Sequence, residues 1–324
     1  MSTKPKVIVT RRWPETVEHQ IAVHFEATFN EADQPLGRDG LMAALRNADA
    51  VFPTVTDPID AEVLAAEPLQ AKLIGNFGVG YNHIDVKAAK ARGITVTNTP
   101  EVLTDATADL ALTLLLMVAR RAGEGERHAR ASEWTGWRPT HMMGTQVTGK
   151  TLGIVGFGRI GRAVAERARQ GFNMRILYYD RFPVDPEISA VLGVEACETV
   201  EELLEQSDFV SLHCPGGGEN TRLMNAERFA RMPRHAFLVN TARGDVVDEA
   251  DLVEALRSGE IAGAGLDVFE AEPTITEDLK SMENVVLLPH LGSATRETRV
   301  AMGMRVIENA KAFFEGKTPQ DRVS

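Results

Sequence analysis

The stretch Thr151-Leu-Gly-Ile-Val-Gly-Phe-Gly-Arg-Ile-Gly-Arg162 constrains this chain more than any other. Thr151 to Val155 is a short apolar run rich in β-branched residues, the pattern of a buried parallel strand. Gly156, Gly158 and Gly161 follow in the spacing G-x-G-x-x-G, and Arg159 to Gln170 carries a helical pattern behind them. Each glycine has its own task. Gly156 permits a tight turn, Gly158 lets the backbone approach a pyrophosphate, and Gly161 lets helix and strand pack closely. The helix N-terminus, at Arg159 and Ile160, adds free N–H groups and a partial positive charge. Alone, such a motif is also what a glycine-rich turn without a ligand looks like. Its context argues further: a second strand, Met174 to Tyr179, ends at Asp180. That is close to the ~20-residue interval at which an acidic residue meets the adenosine ribose. The stretch reads as a dinucleotide site.

A chain of 324 residues exceeds one average domain and points to two. Its net charge of −11 and pI near 5.3 argue against nucleic acid or an anionic membrane as a partner, since both require basic faces. No apolar run approaches the length of a membrane-spanning helix. The start, Met1-Ser-Thr-Lys-Pro-Lys-Val, enters a strand directly and lacks the apolar region of a signal peptide, so a cytoplasmic location is expected. The two cysteines, Cys197 and Cys214, show no CxxC or Cys/His metal spacing; both thiols are expected to be structural and no metal is expected.

Taken in order, Lys6 to Val9, Val51 to Pro53, Leu73 to Gly75 and Thr95 to Thr97 are strand candidates. Helical patterns at Leu41 to Arg46, Ala61 to Ala66 and Val86 to Arg92 alternate with them, which implies a small parallel sheet. The link Asn76-Phe-Gly-Val-Gly-Tyr-Asn82 follows a strand at its carboxyl end, where open α/β sheets bind ligands. Two readings stand there: an anion-binding nest of backbone N–H groups at Gly78 to Gly80, or a tight strand-to-helix turn. Thr104 to Arg121 is apolar nearly all round, so a buried helix is expected, placed between domains. Trp134 and Trp137 sit in a loop-rich arm that suits either an oligomer contact or packing on the chain's own core. Beyond Lys150, Phe209 to Leu212, Ala236 to Val239, Gly263 to Leu266 and Val285 to Leu287 complete six expected strands of a doubly wound sheet. Thr295 to Phe314 is a long amphipathic helix. The region beyond His290 is too short for a domain and is expected to return to the first one. The expected division is 1–100 plus 292–324 as a discontinuous substrate domain, and 101–291 as the dinucleotide domain.

Three strand ends in the second half carry ionisable groups. Asn240-Thr-Ala-Arg-Gly-Asp245 offers Arg243, whose guanidinium can hold a carboxylate by a bidentate pair. Gly265-Leu-Asp-Val-Phe-Glu-Ala-Glu-Pro273 offers Asp267, Glu270 and Glu272, and Leu288-Pro-His-Leu-Gly-Ser293 offers His290. Singly, each is ordinary surface chemistry. On the edge that also carries the glycine loop, together they suggest an acid–base site.

With these stretches assembled, and with Gly78-Val-Gly-Tyr-Asn-His-Ile-Asp85 in the first half, the sequence resembles the D-isomer-specific 2-hydroxyacid dehydrogenases, and among them the glyoxylate/hydroxypyruvate reductases. The resemblance covers nearly the whole chain and implies two Rossmann-like doubly wound α/β domains. It implies that Arg243 binds and polarises a 2-oxo acid, that His290 is the general acid, and that Glu272 is its carboxylate partner. Val79 and Gly80 would give backbone N–H groups to the substrate carboxylate. The implied cofactor set is Gly156, Gly158, Arg159, Ile160, Gly161, Asp180, Arg181, Thr241 and Asp267, the last near the nicotinamide. NAD is the expected cofactor on account of Asp180, with NADP also open on account of Arg181. A homodimer is expected. The run Cys214-Pro-Gly-Gly-Gly-Glu-Asn220 departs from the family pattern, which has bulkier residues and a Thr after the proline.

Reduction of a 2-oxo acid puts hydride on C2 while the carbonyl oxygen gains negative charge, so Arg243 is expected to stabilise that charge and His290 to protonate it. A carboxylate at Glu272 is expected to favour the charged imidazole. Closure of a two-domain cleft is expected to exclude water. Lactate- and phosphoglycerate-type dehydrogenases are the nearest rivals; neither a regulatory domain after Ser324 nor a basic cluster in the first domain favours the latter. Formate dehydrogenases have Gln where this chain has Glu272. A reading of another class also stands, because NADH-sensing corepressors of the same family retain the Arg, Glu and His.

Overall fold

Among residues 4–323, which the computed structural model describes, every ladder between strands is parallel. Parallel sheets need helical crossovers and covered faces, and short runs such as Phe209-Val-Ser-Leu212, buried at every position, meet that requirement. The strands are β1 (Lys6–Val9), β2 (Glu26–Thr28), β3 (Ala50–Phe52), β4 (Leu73–Gly75), β5 (Thr95–Thr97), β6 (Thr151–Val155), β7 (Arg175–Tyr179), β8 (Glu195–Ala196), β9 (Phe209–Leu212), β10 (Phe237–Asn240), β11 (Gly263–Leu266) and β12 (Val285–Leu287). They form two sheets in two compact units, one of Met1–Leu103 with Ser293–Ser324 and one of Thr104–Gly292.

The first unit carries five strands in the order β2-β1-β3-β4-β5. Its chain is closed by helix Arg296–Phe314, capped by the Thr295 hydroxyl on the Thr298 N–H. That helix buries Met302, Val306, Ile307 and Ala310 and crosses helix Glu15–His24 closely. A side chain at Gly303 would meet Val17 at 2.4 Å. β2 was not expected from the sequence, because its Glu-Ala-Thr has no apolar run and lies at an exposed edge. Helix Glu15–His24 escaped for a related reason: it buries only Val17 and Ile21.

The second unit has seven strands in the order β12-β11-β10-β9-β6-β7-β8, one more than the six expected. The extra strand, β8, is a two-residue edge of exposed Glu195 and Ala196 that no periodicity announces. The order turns back on itself between β6 and β9, and that switch point is where open α/β sheets place their ligands. Helix Thr104–Ala119, expected to be buried between domains, finds its cover inside its own unit. It packs on helix Arg159–Phe172 and on β10 and β11, with Leu114 against Gly265. Arg167 ties the two helices through Asp105 and Asp109, each at 2.8 Å.

Candidate active site

The switch point is built by close backbone approach. Gly156 follows β6 with φ +93°, and a Cβ there would stand 2.5 Å from the Cys214 nitrogen at the end of β9. Only glycine serves both demands. Helix Arg159–Phe172 begins immediately after, with Gly158 as its N-cap. A Cβ built on Gly158 meets nothing within 4 Å, so the loop leaves open space at the helix N-terminus, where an anion would be held. Asp180 borders the same loop. One carboxylate oxygen accepts from the Phe157 N–H at 2.6 Å and the other from Phe182 N–H at 2.9 Å, which fixes the group at the end of β7. Arg181 and Ile160 are exposed and half-buried respectively, and the Arg181 guanidinium pairs with Glu219 at 2.8 Å. Thr241 is buried, and among the described residues its hydroxyl has no hydrogen-bond partner.

Arg243 leaves β10 on a turn that Asn240 organises. The Asn240 amide accepts from Ala242 N–H at 3.0 Å and donates to the Arg243 carbonyl at 2.9 Å. Gly244 then lies hard against the loop after β11, where a Cβ would come within 1.9 Å of the Phe269 carbonyl group. The contact brings the Arg243 turn to the loop that carries Glu272. Burial holds the Arg243 guanidinium below its ordinary pKa, opposed by the charges of Glu272 and Asp245.

Glu272 and His290 meet at 2.8 Å between Oε2 and Nδ1. The other Glu272 oxygen accepts from its own loop, at Phe269 N–H, 3.0 Å away. Burial pushes the Glu272 carboxyl up, but the His290 hydrogen bond and charge outweigh it and hold the group below its usual value. Glu272 is therefore ionised and accepts from Nδ1, which leaves Nε2 as the ring position for exchanging a proton with a ligand.

Asp267 was expected near the nicotinamide as a cofactor residue. In the structure it supports the turn that carries His290. It is fully buried, and its two oxygens accept from Leu291 N–H at 2.6 Å and Gly292 N–H at 2.8 Å, while its carbonyl accepts from His290 N–H at 2.9 Å. These bonds hold His290 at φ +55°, a left-handed backbone that non-glycine residues rarely adopt. Burial raises the Asp267 carboxyl, partly offset by those backbone bonds. Glu270, the third acidic candidate on that loop, turns to Arg222 at 3.1 Å and joins no site.

In the first unit, Val79 and Gly80 lie in a half-buried loop after β4. Buried Asn76 donates its amide to the Gly78 and Gly80 carbonyls, each at 3.0 Å, and Asn98 donates to the Val79 carbonyl at 2.8 Å. His83 fixes the other end of the Asn76 amide at 3.0 Å. Three successive carbonyls are thus tied down, and among the described residues neither the Val79 nor the Gly80 N–H has an acceptor. The Gly78 N–H donates to the Asn76 carbonyl at 3.0 Å, as in a tight turn, so only the Val79 and Gly80 N–H groups remain for an anion. Asn76, Asn98 and Asn240 were not singled out from the sequence; their position at or just after strand ends was the available signal.

Comparison with known proteins decides the family. The profile of the D-isomer specific 2-hydroxyacid dehydrogenase, NAD binding domain, matches residues 112–292. A protein of Korarchaeum cryptofilum named glyoxylate reductase is 49% identical, over 99% of this chain and 96% of its own. This chain belongs to the D-isomer-specific 2-hydroxyacid dehydrogenases. Solved structures agree with that. A Polaromonas 2-hydroxyacid dehydrogenase superposes with a TM-score of 0.92 at 38% identity, covering 99% of this chain and 100% of the other. An NADPH-dependent glyoxylate/hydroxypyruvate reductase of Sinorhizobium meliloti, solved with NADP and malonate, gives 0.88 at 35% identity over 99% and 97%. As a member of the dehydrogenase family, the chain is a nicotinamide-dependent oxidoreductase. The open space over Gly158 and the orphaned Thr241 hydroxyl fit that cofactor.

Proposed function

We propose that this dehydrogenase reduces glyoxylate, and hydroxypyruvate beside it, to the corresponding 2-hydroxy acid. The observation that carries the reading is the Glu272–His290 couple after β11 and β12, on the sheet edge that also carries the glycine loop, in a chain 49% identical to a glyoxylate reductase over nearly its full length. The second unit is the dinucleotide domain and the first the substrate domain in this reading. Bound reduced nicotinamide supplies a hydride to the carbonyl carbon. Arg243 takes the substrate carboxylate and stabilises the negative charge growing on the carbonyl oxygen. His290 protonates that oxygen from Nε2, and Glu272 stabilises the imidazolium before transfer. Val79 and Gly80 offer their backbone N–H groups to the carboxylate. Asp180 favours NADH. The arm bearing exposed Trp134 and Trp137 supports a homodimer, and the enzyme's proposed location is the cytoplasm.

Oxidation of NADH and NADPH followed against a panel of 2-oxo acids tests this. Glyoxylate and hydroxypyruvate should give the highest kcat/KM, ahead of pyruvate. Tight NADH binding without turnover of any 2-oxo acid would instead point to the corepressor class.

A further inference from the structure

We infer that Glu219 is a cofactor-specificity residue, which discriminates against a 2′-phosphate by occupying Arg181. The inference rests on the reading that Asp180 and Arg181 face the adenosine ribose. Glu219 lies in Gly218–Asn220, a single 3-10 turn in the loop after β9 whose sequence departs from the family pattern. The loop is tethered from both sides: Gly217 N–H donates to Asp245 at 2.7 Å, and the Asn220 amide donates to the Pro215 carbonyl at 2.9 Å. Its glycines are what permit this path. Gly217 and Gly218 have φ of +77° and +57°, and a Cβ on Gly216 would stand 2.4 Å from an Asp245 oxygen and 2.8 Å from Arg243 Cβ. Bulkier residues would lift the loop away. So seated, it brings the Glu219 carboxylate within 2.8 Å of Arg181 Nη1. The guanidinium also lies over the Phe182 ring, 5.7 Å from its centroid.

The consequence is electrostatic. Arg181 is the cation near the end of β7 that a 2′-phosphate would seek. Its charge already has a carboxylate partner, so a 2′-phosphate must displace Glu219 to reach it. A 2′-hydroxyl needs nothing from Arg181. Both partners are more than half exposed, so the effect is modest, at the upper end of what surface pairs deliver.

The test is the dissociation constants of NADH, NADPH and 2′,5′-ADP by calorimetry, with kcat/KM for both cofactors, in wild type, E219Q, R181Q and the double variant. E219Q should tighten NADPH relative to NADH about fivefold, or about 1 kcal/mol at ~1.4 kcal/mol per decade. It should tighten 2′,5′-ADP in parallel, and the gain should vanish in the R181Q background. An unchanged NADPH:NADH ratio in E219Q, or a gain that persists without Arg181, would overturn the inference. D180S separates this from the underlying reading. If D180S alters neither cofactor's affinity, the ribose assignment fails and the inference with it. If D180S weakens NADH while E219Q changes nothing, only the role of Glu219 falls.

Discussion

Asp267→Asn probes how the proposed acid is held in place. The carboxylate accepts two backbone N–H bonds, from Leu291 and Gly292, on the turn that keeps His290 in a left-handed conformation. Hydrogen bonds to a charged group contribute about 1.5–3 kcal/mol each. Asparagine keeps one acceptor oxygen, now neutral, and turns an amide N–H₂ toward the other backbone N–H. One bond is lost and one weakened, roughly 2–4 kcal/mol. Part of this returns, because burial already disfavours the charged Asp267 and the amide escapes that penalty. A net ~1–3 kcal/mol remains, comparable to the ~1–3 kcal/mol cost of holding a non-glycine residue in the left-handed region. The turn should therefore relax and His290 should lose its alignment. At about 1.4 kcal/mol per decade, kcat should fall roughly 10- to 100-fold. Steady-state kinetics with glyoxylate at saturating NADH, together with NADH affinity by fluorescence titration, would measure it. The affinity should move much less than kcat. A kcat within threefold of wild type would refute the argument, and a loss confined to NADH affinity would make Asp267 a nicotinamide contact instead.

Other consequences are as direct. Arg243→Ala should raise KM for glyoxylate and lower kcat together, because one side chain anchors the carboxylate and meets the oxyanion; wild-type turnover would remove it from the site. Glu272→Gln should lower kcat about tenfold or more with a smaller change in KM, and equal kcat would show that the carboxylate at Nδ1 is dispensable. Burial pushes the His213 imidazole down to about 4, so the unfolded chain takes the proton first. Its contribution to stability is complete above about pH 6.5 and is lost as pH falls toward 4, up to about 3 kcal/mol. Urea unfolding of wild type and His213→Gln across that range should show the variant's flatter profile, and parallel profiles would contradict it. Light scattering should give twice the 35.4 kDa chain mass, and a monomer would refute the proposed dimer.

Much of this was legible in the sequence, for identifiable reasons. Buried parallel strands announce themselves as short apolar runs, and β6, β9 and β11 fall where those runs predict. Two of the four edge strands are silent: β2 and β8 are short, polar or exposed, and their pairing is decided by neighbours rather than by their own residues. The other two, β5 and β12, keep β-branched runs and were legible. At the site, the glycine loop and the Glu272–His290 pair were visible as motifs. The supporting hydrogen bonds were not, because what Asn76, Asn98 and Asn240 do depends on which carbonyls lie within reach. Asp267 is the instructive case. Its place in a motif suggested a ligand contact, and what the motif could not show is that its two oxygens also hold the His290 turn.

In the proposed reaction a hydride reaches C2 of a 2-oxo acid while this chain's residues fix the face it enters. Hydroxypyruvate is prochiral at that carbon, so one measurement tests both parts: reduction with NADH carrying deuterium at both C4 positions, followed by chiral separation and mass analysis of the product. The proposed reaction gives D-glycerate carrying a single deuterium at C2. L-glycerate, a racemate, or product without deuterium would contradict it.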